Sequence, residues 1–236
     1  MIRAVAASLF AMTLLPMIGM AQDNTRCDAN AYALCSHALC TCLDASGAPT
    51  DCPTGDGATT ETVWSFCECP VVTVGGAPEY NANIGNTSCQ QRIATDLPVF
   101  VAPGASGSDM ELIFSQYSLG DAIGDDSFGT LNAAQMQQCP PTGSDGSQAY
   151  FANCLDQPCF WDGTSGTASC YCPVNPATET WNTFTESCDD TLCDTKADQV
   201  WSAAGVGVTQ SATGYLQGFI AATGRTAPSV TYCAPG

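Results

Sequence analysis

Basic residues are nearly missing from this chain: 5 Lys and Arg stand against 23 Asp and Glu in 236 residues, a formal net charge of −18. Such a surface repels phosphate backbones and anionic headgroups and lacks the cationic clusters they need, which argues against nucleic acid and against direct membrane binding. Histidine is scarcer still, with His37 alone. Most serine and cysteine hydrolase arrangements set an imidazole beside the nucleophile, so one histidine removes most of them. The stretch Gly104-Ala105-Ser106-Gly107-Ser108 lacks the closing glycine of a nucleophile elbow, and no loop has the phosphate-cradling pattern of nucleotide binders. Long apolar runs are lacking too, apart from the first residues. There Arg3 precedes an apolar run from Ala4 to Leu15 that Pro16 breaks, and small residues follow at Gly19 and Ala21. Residues 1–21 therefore read as a secretory signal, and nothing after them is apolar for the length of a bilayer span.

Cysteine, by contrast, is abundant: the chain has 16, all beyond residue 21. An even count behind a secretory signal points to disulfides and to a secreted or periplasmic location, where the same count in a cytosolic chain would have pointed to zinc. The cysteines divide evenly. Cys27, Cys35, Cys40, Cys42, Cys52, Cys67, Cys69 and Cys89 fall in the first half, and Cys139, Cys154, Cys159, Cys170, Cys172, Cys188, Cys193 and Cys233 in the second. Cys35 and Cys40 share their spacing with Cys154 and Cys159, and Cys67-Glu-Cys-Pro-Val71 recurs as Cys170-Tyr-Cys-Pro-Val174. Shared spacings with a shared Pro-Val point to internal duplication, with one module over 22–138 and another over 139–236.

Each half carries one more repeated segment. Ser108-Asp-Met-Glu111 has the form of a capping box, with Met110, Ile113, Phe114 and Tyr117 at helical spacing. Ala197, Val200, Trp201 and Ala204 repeat that spacing and stop at Gly205. "ELIFSQYS" and "DQVWSAAG" thus read as the same element, a helix packed on its own module. Residues 62–74 and 168–174 read as strands that end, bulge or lie at a sheet edge at Pro70 and Pro173. Asp-Gly and Ser-Gly pairs mark turns between the strands. The expected fold class is α+β and disulfide-rich, two tandem modules of short strands with one or two short helices each.

Residues i and i+2 of a strand face the same way, so each C-x-C pair presents both sulfurs on one side. A bond between such close neighbours closes a small strained ring, and a catalytic dithiol needs a cationic setting that this chain does not supply. Each sulfur is then expected to take a different partner. Cys35 and Cys40 are assigned to Cys67 and Cys69, and Cys154 and Cys159 to Cys170 and Cys172, in either order. The remaining pairs expected are Cys27 with Cys89, Cys139 with Cys188, Cys42 with Cys52, and Cys193 with Cys233. A zinc site from Cys35, His37, Cys40 and Cys42 has no counterpart in the second half and is set aside.

Three weaker signals remain. Asp121, Asp125 and Asp126 offer oxygen ligands for calcium from a turn, without the alternating pattern of an EF-hand loop. Phe160, Trp161 and Asp162 form a candidate partner-contact loop. Asn86-Thr87-Ser88 is a glycosylation sequon. No cofactor or catalytic residue is expected. The reading is a secreted, acidic, non-catalytic protein that binds a protein or glycan partner or serves as a surface component. An effector or inhibitor that blocks another protein comes second, and an extracellular hydrolase with paired carboxylates third.

Overall fold

The computed structural model describes residues 24–26, 31–54, 63–73, 82–84, 110–115, 134–155, 157–185, 188, 190–193, 196–222 and 229–234. The signal segment, Cys27, Cys89, Asn86, the Ser106 stretch and the Asp121, Asp125 and Asp126 loop lie outside these residues. Strands β1 (Asn24–Arg26), β2 (Ala31–Ala33), β3 (Leu39–Leu43), β4 (Val63–Thr73), β5 (Ala82–Ile84) and β6 (Glu111–Phe114) come first. They are followed by β7 (Ala134–Cys139), β8 (Tyr150–Ala152), β9 (Pro158–Trp161), β10 (Thr167–Pro176), β11 (Trp181–Thr185), β12 (Gln199–Trp201) and β13 (Ala204–Gly205). Helix α1 (Val206–Ala222) and strand β14 (Val230–Cys233) close the described chain.

The expected α+β class is wrong. The structure is 52% strand, with one α-helix among the described residues. Both segments read as helices are strands, β6 and β12. Leu112-Ile113-Phe114 and Val200-Trp201 are short β-branched and aromatic runs, for which helical and strand spacing coincide, and pairing with a neighbouring strand decides between them. Gly205 does not end a helix; it precedes α1. That helix holds Gly207, Gly214 and Gly218 among Thr and Ser, so no amphipathic stripe announces it.

β4 and β10 form the spine. They pair antiparallel with Cys67 opposite Cys170, Cys69 opposite Ala168 and Ser65 opposite Cys172. Burial alternates along β10: Ala168, Cys170, Cys172 and Val174 face in, while Ser169, Tyr171 and Pro173 face out. β3 and β2 flank β4, and β9 and β8 flank β10. The strands do not end at their prolines. Pro70 and Pro173 sit where each long strand changes partner, and their carbonyls accept from Leu34 N (2.7 Å) and Asn153 N (2.8 Å). A proline has no N–H to offer the ladder, so a partner change is where it costs least.

β6 then pairs with β9, and β12 with β3, each joining a strand from the other side of residue 138. Ser115 bridges back to Ala33 and Ser202 to Ala152, which nearly closes the sheet into a barrel. The interior is largely sulfur. Ten cysteines from both halves join Ile113, Val200, Tyr150, Trp161 and Val174 in one buried cluster. β7 pairs antiparallel with β11 and parallel with β14, and β13 pairs with β11, to make a second sheet. Among the described residues, the strand partners of β7 lie beyond residue 139.

Seven disulfides hold this frame, and none of the described cysteines is free. Cys35–Cys69, Cys40–Cys67, Cys154–Cys172 and Cys159–Cys170 staple the C-x-C strands to their flanks, and Cys42–Cys52 ties the β3–β4 connection. The C-terminal pairs differ from expectation: Cys139 bonds Cys193 and Cys188 bonds Cys233. The reason is direction. β11 starts opposite Cys139 and runs antiparallel to Gln135, which carries Cys188 roughly 13 Å down β7, beyond the reach of a disulfide. Cys188 arrives instead beside Gln135 (Sγ to Oε1, 3.9 Å).

Candidate functional site

Two adjoining hollows open beside the start of α1, with Leu155 and Ala204 in the walls of both. The outer one is a cleft of about 350 Å³ with Asn153, Gln157, Asn175, Thr178 and Glu179 among apolar Phe151, Pro176 and Val208. The inner one runs between Cys35, Ser36 and Cys154 on one side and Asn182, Phe184 and Thr209 on the other. Its position follows from the staples. Leu155 comes straight after Cys154, which is bonded to Cys172, while Asn182 on β11 pairs with Ala204 on β13. Val206 N then donates to Thr180 O (2.9 Å) and starts α1 over the opening.

Asn182 is the chemical centre of the inner hollow. It is 2% exposed, and its Nδ2 donates to Thr209 Oγ1 at 2.6 Å. Thr209 Oγ1 in turn donates a hydrogen bond to Val206 O (3.0 Å) in the first turn of α1. That leaves Asn182 Oδ1 without a hydrogen-bond partner among the described residues, and Ser36 Oγ nearby is in the same state. A buried polar atom left unpaired costs about 1–3 kcal/mol, so these two oxygens are the open hydrogen-bonding groups of the hollow.

Beside the cleft, Glu179 packs against Gly205: a Cβ there would sit 2.5 Å from Glu179 Oε1 and would displace the carboxylate. Its carboxylate thereby lies beside Gly205, the residue before α1, where the helix dipole favours negative charge. Among the described residues, Glu179 is the one acidic group lining the cleft.

The residues singled out from sequence fall elsewhere. Phe160 and Trp161 are buried, at 8% and 9% exposure, and Trp161 Nε1 donates to Ser165 O (2.7 Å), so the indole braces its own turn. Asp162 is exposed on that turn. Its Oδ1 accepts from Ser165 N (2.6 Å) and Thr164 N (2.8 Å), and these amides push its carboxyl down to about 2. Gly163 takes φ +78°, the left-handed conformation for which the Asp-Gly pair is suited. Asp44 and Asp145 cap similar turns and are also held below the usual carboxylate range, in each case first by a serine hydroxyl, from Ser46 and Ser147. His37 stacks on Trp201 with ring centroids 4.9 Å apart.

The sulfurs crowd. Cys35 Sγ lies 3.2 Å from Cys170 Sγ, and Cys67 Sγ lies 3.3 Å from Cys154 Sγ. Two trios, Cys35, Cys69 and Cys170 and then Cys40, Cys67 and Cys154, are close enough to share an ion. All six are spent in disulfides, and a bonded sulfur is no thiolate ligand.

Sequence reading missed Asn182, Ser36, Thr209 and Glu179. β11 reads Trp-Asn-Thr-Phe-Thr and is buried at all five positions, so alternation gave no cue that its polar members face inward. No family model, curated protein or solved structure matches the chain.

Proposed function

We propose that this protein works outside the cytoplasm, secreted or periplasmic, as a non-catalytic binding protein whose recognition site is the cleft beside α1. One observation carries the reading: a rigid, disulfide-held hollow presents a buried amide oxygen that the described chain leaves unpaired. Binding sites are concave and use a few placed polar groups to orient a ligand, and here Asn153, Gln157 and Asn175 stand among apolar Phe151, Leu155 and Pro176. One carboxylate among the described residues lines the cleft, which supports binding over hydrolysis by paired acids, a reaction that needs a second carboxyl group across the cleft. Seven disulfides support an oxidising compartment. No described helix is long and apolar enough to cross a membrane.

The same reading takes 22–138 and 139–236 as duplicated modules. What supports it is the matching register around Cys67 and Cys170 and the matching carbonyls of Pro70 and Pro173.

The test is retention of a partner from the secreted fraction of the producing cells on immobilised protein. Wild type is compared with Leu155→Trp, which fills the wall the two hollows share, after both give the same near-ultraviolet circular dichroism. Material held by wild type and lost by the variant supports the cleft. Equal retention by both, or none by wild type, overturns the reading.

A further inference from the structure

Resting on the cleft as the binding site, we infer that its ligand is a neutral sugar unit of a glycan, with one hydroxyl inserted into the inner hollow against Asn182 and Ser36. The first reason is the kind of atom left open. Asn182 Nδ2 is committed to Thr209 Oγ1, so Oδ1 asks for a donor. Turning the amide over would point Nδ2 into the hollow and ask for an acceptor instead. Ser36 Oγ, the second open atom, both donates and accepts. A ligand hydroxyl satisfies every one of these arrangements, because it is donor and acceptor at once. A carboxylate or an ammonium satisfies half of them.

The second reason is the outer cleft. Asn153, Gln157 and Asn175 bring three amides and Thr178 a hydroxyl, again groups of both kinds, around a volume of about 350 Å³. Phe151 and Pro176 supply apolar surface between them, which suits the C–H faces of a sugar ring while its hydroxyls meet the amides. Charge narrows the class further. A net charge of −18 repels anionic glycans, and one carboxylate, Glu179, with no aromatic cage is too little for a cationic amine. A peptide would bring a chain of alternating amides, but the inner hollow, at about 30 Å³, has room for one small group such as a hydroxyl.

The experiment is a glycan array that includes neutral and anionic oligosaccharides, followed by calorimetric titration of the strongest neutral hit. Asn182→Ala is expected to weaken binding about ten-fold, the loss of one buried hydrogen bond. Because Asn182 is buried, Asn175→Ala at the half-exposed cleft wall is measured in parallel and is expected to weaken binding by about three-fold or more. Binding of a neutral saccharide that both variants weaken, with circular dichroism unchanged, supports the inference. Binding of anionic sugars alone overturns it. So does a neutral saccharide that neither variant affects, or an array with no hit. An array with no hit beside a partner that Leu155→Trp releases overturns the sugar class while leaving the cleft standing; the inner hollow then holds water and the ligand is not a glycan.

Discussion

Cys35–Cys69 and Cys154–Cys172 hold corresponding strands in the same way, yet the first closes a loop of 34 residues and the second a loop of 18. Cys40–Cys67 and Cys159–Cys170 repeat the contrast, with separations of 27 and 11. Both differences are 16 residues, so the whole surplus lies in one connection, between β3 and β4. The folded contacts beside the bridges agree closely. Ser202 donates its hydroxyl to Cys35 O and accepts from Ala38 N, as Ser115 does with Cys154 O and Gln157 N. The lesson is that the framework is set by sulfur pairs and their strands, while the connections vary. The longer connection carries its own staple, Cys42–Cys52; the shorter one is finished by the Asp162 turn.

The largest test removes the framework altogether. With a core built of buried disulfides, full reduction is expected to abolish the near-ultraviolet circular dichroism of both halves in one step. A reduced protein that keeps its native signal would show that packing alone suffices.

Removing corresponding bridges one at a time sharpens the comparison. If bridges act by restricting the unfolded chain, Cys35→Ala with Cys69→Ala costs about 3.8 kcal/mol, and Cys154→Ala with Cys172→Ala about 3.2 kcal/mol. The native surroundings are matched, so the difference of about 0.6 kcal/mol isolates the loop. Guanidinium unfolding without reductant measures it. Equal costs, or the reverse order, would place the effect in the folded state.

How far this frame was legible follows from the same residues. The strands around Cys67 and Cys170 could be read, as could the assignment of Cys35 and Cys40 to the first and of Cys154 and Cys159 to the second, because same-face geometry and ring strain act over a few residues. The segments "ELIFS" and "DQVWS" read as helices but are strands, each ending on an inward serine, Ser115 and Ser202. Ser115 and Ser202 owe their roles to partners 39 and 167 residues away, and strand pairing at that range overrides local spacing. Cys139 and Cys188 were mispaired for a related reason, since sequence order does not reveal that β11 runs away from Cys139. The cleft was not legible at all. It exists only where β8, β11 and α1 meet, and Asn182 looks like an ordinary polar strand residue until Thr209 is placed beside it.

A further test uses the crowding of sulfurs between halves. In Cys159→Ser, Cys170 is left as a thiol whose sulfur sits 3.2 Å from Cys35. Its thiolate is expected to attack Cys35 Sγ, forming Cys35–Cys170 and releasing Cys69 as the new thiolate, which takes up the proton. Cys40→Ser should act likewise through Cys67 and Cys154, freeing Cys172. Peptide mapping by mass spectrometry reads the pairs, and an intact Cys35–Cys69 bond with a free thiol on Cys170 would sink the idea.

The smallest effect lies in the two turns that finish β3 and β9. Asp44 and Asp162 are both exposed and both accept from backbone N–H groups, yet the causes rank differently. The Ser46 hydroxyl leads at Asp44, whereas the Ser165 and Thr164 amides lead at Asp162 and bring it to about 2. A carboxyl whose folded pKa lies below its ordinary 3.8 adds stability that is complete above that ordinary value. The contribution fades as pH falls through the folded value near 2. Titration followed by the carboxyl carbon shifts should place the Asp162 transition near 2, with Asp44 also below 3.8. Asp162→Asn keeps an acceptor oxygen but removes the charge, so the acid dependence of the turn after β9 should flatten while the turn after β3 keeps its own. An Asp162 transition at 3.8 would mean that the amides do not hold the carboxylate in solution, and the shorter connection would then owe its shape to Gly163 and the Trp161 brace alone.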